Sequence, residues 1–180
     1  MPRRIAREVP RVDLRACGDW HAVAGARTRY RRPMSEHHSR LTWSRGEVPF
    51  TYATYSRAHE TVMGPAALSM SAAQAYGGDP TLANPEDLLV AALSSCHMLT
   101  FLAICARKGI VVDRYEDEAV GYLERPAGAP MHVARTILRP RVTFGAEPPS
   151  AEALRELHEQ AHRGCFIASS VKTVVTVEPR

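Results

Sequence analysis

The stretch "NPEDLLVAALSSCHMLTFLAICARKG", Asn84 to Gly109, decides how the rest of the chain is read. Asn84 is a good helix N-cap, Pro85 fits the first helical position, and Glu86 and Asp87 fall in the first turn, where acidic groups suit the helix dipole. The apolar run that follows predicts a helix reaching Lys108, with Gly109 as its stop. Leu88–Cys105 spans 18 residues, near the lower limit for crossing a bilayer. Ser94, Ser95, Cys96, His97 and Thr100 at its centre, and no close basic flank on its N-terminal side, favour the buried helix of a soluble protein. Such a helix has no packing need for a cysteine followed at once by a histidine, and that pair raises the chemical question.

Outward from this helix, Leu41–Trp43 and Phe50–Tyr55 flank the turn-like "SRGE" and predict a hairpin. A short strand is expected at Ala67–Ser71. Beyond the helix, Glu116–Glu124 and Val133–Phe144 read as strands, with Pro140 marking an edge or bulge. Ser150 caps a second helix, Ala151–His162, which Gly164 ends. "CFIASS" connects it to a closing strand, Val171–Val177. The order of strands, long helix, strands, helix and strand predicts an α+β fold without βαβ winding.

The chain has 180 residues, 45% of them apolar, which suits one domain with a modest core that a partner subunit helps to complete. Residues 1–33 hold nine Arg and three Asp/Glu, a charge of +6; the remaining 14 basic and 16 acidic side chains sum to −2, so the net +4 comes from the first 33 residues. Nucleic-acid binding is therefore not inferred from the basic pI. The expected organisation is a basic, disordered extension over 1–33 and a folded domain over 34–180, with Met34 reading as a natural beginning. Residues 1–33 lack the apolar core of a secretory signal. Two lysines against 21 arginines suggest a GC-rich, bacterial genome.

Cysteines at 17, 96, 105 and 165 form no CxxC pair, which favours a reducing, cytoplasmic setting with one or two functional thiols. Cys96 and Cys165 admit two readings. They are either a peroxidatic and a resolving thiol, or buried cysteines packing as small hydrophobes. Cys105, nine residues after Cys96, faces the far side of the same helix and reads as packing; Cys17 sits in the tail and is assigned no role. An ordinary thiol is mostly protonated at neutral pH, and Cys96 lies about three turns into its helix, beyond the reach of the dipole. A fixed cation must serve instead, and among Arg40, Arg45 and Arg57 the last, in "YSRAHE", is preferred. Glu86 is available to orient it. On one helix, however, Glu86 and Cys96 lie about 15 Å apart along the axis. Either the arginine bridges them, or Glu86 acts toward the thiol of a second subunit, which predicts a dimer with the thiol site at its interface. Leu89, Leu93 and Phe101 are expected to line the approach of an organic peroxide.

Three other readings compete. Cys96, His97, His162 and Cys165 make a Cys₂His₂ zinc set, although adjacent helical side chains diverge. Cys96 with His97, His59 or His162 as base makes a cysteine hydrolase, but no oxyanion-hole signature accompanies it. The third is a non-catalytic protein that binds a hydrophobic ligand in a dimer cleft.

Two anchors resemble the OsmC/Ohr family of peroxide-reducing proteins, in its OsmC-like branch. They are "NPEDLLVAALSSCHMLTFL", with Cys ten positions after the glutamate of Asn-Pro-Glu, and "HEQAHRGCFIASSVKTVVTVEP", with a second Cys shortly before the last strand. The resemblance covers roughly 34–179. It implies an OsmC-like α+β fold, with antiparallel sheets around long central helices in an intertwined homodimer. It further implies Cys96 as peroxidatic thiol, Cys165 as resolving thiol and Glu86 as the family glutamate. The implied substrate is an organic hydroperoxide, the reductant a dithiol such as a lipoylated protein, and no cofactor, metal, nucleic acid or membrane is called for. The family arginine has no clean match, so Arg57 rests on its place in the chain. His97, directly after the thiol, departs from the family pattern.

Overall fold

Helix α1 runs Pro85–Arg107 in a computed structural model that describes residues 35–180. The expectations for residues 1–33, Cys17 among them, lie outside the described residues. Asn84 accepts the Asp87 N–H at 3.0 Å, and the Asp87 carboxylate accepts the Asn84 N–H at 3.1 Å, which makes a reciprocal capping box. Lys108 is the C-cap, and Gly109 follows at φ +72, the left-handed conformation that glycine adopts without a Cβ penalty. The wholly buried positions of α1 are Leu93, His97, Phe101 and Cys105, one every four residues, so a single stripe of this uniformly apolar helix faces the core.

The described strands form three small sheets. β1 (Ser39–Thr42), β2 (His59–Met63) and β3 (Ala66–Met70) form an antiparallel meander. β4 (Val112–Asp117) pairs with β7 (Pro140–Phe144), and β5 (Val120–Glu124) with β6 (His132–Leu138), both antiparallel. The two long strands read from the sequence are thus each broken in two. One break precedes Pro140, and the other lies between Asp117 and Val120. β8 (Val174–Val177) joins β6 in parallel, after a connection that contains β7 and helix α2 (Ala151–Gly164). Among these strands this is the one parallel pair, made by the return of the chain over α2. Ser150 caps α2 by accepting the Ala153 N–H at 3.2 Å.

The predicted N-terminal hairpin is not formed. β1 pairs with His59–Met63, whereas Phe50–Tyr55 is a turn in which the Thr54 and Tyr55 N–H groups both bond the Thr51 carbonyl. Its aromatics pack with Trp43 instead: the Trp43–Phe50 ring centroids are 5.9 Å apart and the Phe50–Tyr55 centroids 5.5 Å.

The core lies between α1, α2 and the β4–β7 pair, with Phe101, Cys105, Leu157 and Ala161 at its centre. Before α1 the chain folds back tightly at Gly78, where a Cβ would overlap the carbonyl oxygen of Ala72. Backbone cannot yield as a side-chain tip does. Gly78→Ala is therefore expected to destabilise the protein by ~3 kcal/mol, measured by urea unfolding; an unchanged midpoint would mean that this loop adjusts freely.

Candidate active site

α1 packs against α2, and at Gly164 an added Cβ would stand 3.0 Å from the Thr100 methyl. Cys96 lies one turn before Thr100 on α1, and Cys165 is the C-cap of α2 directly after Gly164. The seam therefore brings the two cysteines together, their thiols close enough to perturb one another. Cys96 is half-buried and Cys165 fully buried, 1% exposed. The Ala168 N–H donates to the Cys165 sulfur at 3.3 Å. Burial pushes the Cys165 thiol up, the hydrogen bond with Cys96 adds to it, and the backbone N–H of Ala168 pulls the other way. Cys165 thus tends to keep its proton, and a protonated Cys165 can donate to the Cys96 sulfur.

A single chain does not bring Glu86 or Arg57 to this pair. Glu86 is half-buried in the first turn of α1. It lines a groove of about 650 Å³ with Val90, Ser94, Met98, Asp117 and Leu123, and the cysteines take no part in it. Arg57 precedes β2 and donates to the Tyr55 carbonyl at 3.1 Å and the Tyr52 carbonyl at 2.9 Å. Its guanidinium carbon lies 4.2 Å from the Tyr55 ring centroid and 5.1 Å from that of Tyr52, and packs over Gly77. It meets no carboxylate among the described residues. An aromatic pocket of about 480 Å³, with Trp43, Phe50 and Tyr55 in its wall, joins Arg57 to Pro85 at the start of α1.

Two residues expected to line a peroxide approach are instead core: Leu93 is 1% exposed and Phe101 0%. Leu89 does border a cavity, of about 340 Å³, with Val133 and Val171. Cys105 packs in the core as expected, and burial pushes its thiol up. Among the described residues, no group of three or more His, Cys, Asp and Glu is placed to hold a metal ion, so Cys96, His97, His162 and Cys165 do not form a zinc set.

The sequence reading missed the partner of His97. Its ring reaches α2, where Nε2 meets His158 Nδ1 at 3.1 Å. The signal was available: His158, His162 and Cys165 are spaced four and three apart, on one face of α2. Asp117 was missed as well. It accepts the Ser94 hydroxyl at 2.5 Å and the Arg139 N–H at 2.6 Å, which ties α1 to the sheet beside the site.

The OsmC-like protein family matches residues 78–180. No curated protein matches the chain. Among solved structures, an OsmC-like protein of unknown function from Vibrio cholerae is 40% identical, with a TM-score of 0.77, covering 82% of this chain and 100% of its own. An organic hydroperoxide resistance protein OsmC from Legionella pneumophila is 14% identical, with a TM-score of 0.60, covering 82% and 97%. The organic hydroperoxide resistance protein OhrB of Bacillus subtilis is 15% identical, with a TM-score of 0.56, covering 82% and 100%.

Proposed function

The chain belongs to the OsmC-like family, and on that premise we propose that it is a thiol-dependent reductase of organic hydroperoxides. The observation that carries this reading is the contact between the Cys96 and Cys165 thiols, which lie 69 residues apart in the chain. The Legionella and Bacillus relatives, both organic hydroperoxide resistance proteins, support the substrate class.

Cys96 attacks as thiolate. Its sulfur bonds the terminal oxygen of the peroxide, the O–O bond breaks, and the alcohol leaves after taking up a proton, so that Cys96 becomes a sulfenic acid. Cys165 then attacks the sulfenic sulfur. Water leaves, and a Cys96–Cys165 disulfide forms. A dithiol such as a lipoylated protein reduces it by exchange and is itself oxidised. No resident cofactor enters this sequence. Residues 34–180 carry it, in the reducing cytoplasm that dithiol recycling requires.

The active unit is a homodimer in which Arg57 and Glu86 of one copy serve Cys96 of the other. Within its own chain Glu86 stands about 15 Å from Cys96 along the helix axis. The unsatisfied surface of α1 supports this assembly: the helix is apolar enough to cross a membrane by length and composition, yet only 22% of its most apolar window is buried, and Leu99 is 60% exposed. A second copy would cover that face.

The test is multiple-turnover reduction of cumene hydroperoxide with dihydrolipoamide as reductant. Turnover in wild type, lost in both Arg57→Ala and Glu86→Gln, supports the scheme. If both thiols persist unoxidised under stoichiometric peroxide, the protein is instead a member of the fold that binds a hydrophobic ligand.

A further inference from the structure

His97 and His158 form a pair that the peroxide chemistry leaves unused. Both rings are buried, 1% and 3% exposed, and they lie nearly parallel and edge to edge, with centroids 5.4 Å apart and an interplanar angle of 9°. Phe101 stacks on the face of His158, with ring centroids 4.4 Å apart. One proton is shared between His97 Nε2 and His158 Nδ1, while the outer nitrogens, His97 Nδ1 and His158 Nε2, are buried without a partner. The contact sits on the same helix seam as the thiols. His97 directly follows Cys96, and His158 lies seven residues, about two turns, before Cys165 on one face of α2.

We propose that His97 and His158 are positioning residues, whose shared hydrogen bond holds α2 against α1 where Cys165 meets Cys96, and that acid releases this hold. The inference deepens the peroxidase reading and rests on it for its functional consequence. A proton added to either ring puts a charge into a site with no counter-ion in contact. The neighbouring groups offer little relief. On α2, His162 has a buried, unpartnered Nδ1, and Arg155, Glu159 and Arg163 border the His158 pocket, with Glu159 turned toward Arg163 at 3.6 Å. On β4, the Asp117 carboxylate is engaged by Ser94 and Arg139, and Tyr115 is a buried phenol that burial keeps protonated. On β8, Val175 and Val177 face the same pocket and are apolar. Cys96, Cys105 and Cys165 complete the surroundings, and burial keeps the last two thiols protonated.

Burial, and for His97 also the neighbouring imidazoles of His158 and His162, lowers both histidines from 6.5 to about 4, and the Asp117 carboxylate opposes this only weakly at His97. The folded seam therefore binds fewer protons than the opened one. Opening becomes easier as pH falls from about 6.5 toward 4, by roughly tenfold per pH unit for each imidazole that is released. Opening withdraws Cys165 from Cys96, so a sulfenic acid formed in acid would wait unresolved.

The experiment is hydrogen exchange by mass spectrometry on the full chain at pH 7 and pH 4.5, corrected for intrinsic exchange. The expected result is that the peptide covering residues 158–165 opens at least ~10-fold more readily at pH 4.5, while the β4–β7 peptides change little. In the double variant His97→Phe/His158→Phe, which cannot titrate, this acid-induced opening is expected to vanish. Exchange over 158–165 that is the same at both pH values in wild type, or that rises equally in the variant, overturns the proposal. The wild-type measurement stands alone should the variant fail to fold. Peroxide turnover measured beside it at pH 7.5 keeps the two readings apart: no turnover with acid-sensitive exchange removes the peroxidase and leaves the clamp, whereas turnover with pH-independent exchange does the reverse.

Discussion

Cys96→Ser is expected to lose all measurable turnover of cumene hydroperoxide with dihydrolipoamide, in a protein that still folds. A serine hydroxyl ionises far above neutral pH, and only a thiolate attacks the O–O bond at a useful rate. Cys96 is half-buried in a seam set by Gly164 and Thr100, so exchanging sulfur for oxygen leaves the packing nearly unchanged. Cys165→Ser separates the two steps. Its Cys96 still reacts with one equivalent of peroxide and a dimedone probe traps the sulfenic acid. With no neighbouring thiol to condense with, excess peroxide drives that sulfur to the sulfinic acid. Normal multiple turnover in Cys165→Ser would remove the two-cysteine scheme, and residual turnover in Cys96→Ser would place the reactive sulfur elsewhere.

The second large effect falls on stability. Phe101 is 0% exposed, packs on Leu157, Ala161 and Cys105, stacks on His158 at 4.4 Å and meets Tyr115 with ring centroids 5.7 Å apart. Removing its ring leaves a cavity between the two helices, lined by Leu157, Ala161 and Cys105. Phe101→Ala is expected to cost ~4 kcal/mol of unfolding free energy, or roughly 10 °C in Tm. Relative rates for small and bulky peroxides should stay as in wild type, because this side chain does not line an approach. A Tm change of only a degree or two, together with an altered KM for bulky peroxides, would return Phe101 to the role that the sequence suggested.

Local signals were legible where one residue type answers one backbone need. Asn84, Pro85 and Gly109 announced the ends of α1, and Ser150 and Gly164 those of α2, because caps and stops act within a turn. The N-terminal hairpin was misread because Phe50, Tyr52 and Tyr55 have strand-like composition. Thr51 instead collects the N–H groups of Thr54 and Tyr55 in a turn, and the true partner of β1 is the more polar His59–Met63. The parallel β6–β8 pair was invisible, since register between distant strands depends on how α2 returns the chain. The thiol pair could be suspected from two awkwardly placed cysteines, but their contact depends on a helix crossing that periodicity does not encode. For the same reason His97 looked like an odd neighbour of Cys96 until α2 supplied His158. Arg57 and Glu86 do not meet Cys96 within one chain, and in the proposed homodimer a second copy would bring them there.

Intact-mass spectrometry with disulfide mapping, after reduced protein has met one equivalent of cumene hydroperoxide, shows whether the two thiols bridge. The expected product is lighter by two hydrogens, with a single bridge joining Cys96 to Cys165 and Cys105 still reduced. An unchanged mass, a stable gain of oxygen with no bridge, or a bridge involving Cys105 would contradict the two-cysteine scheme.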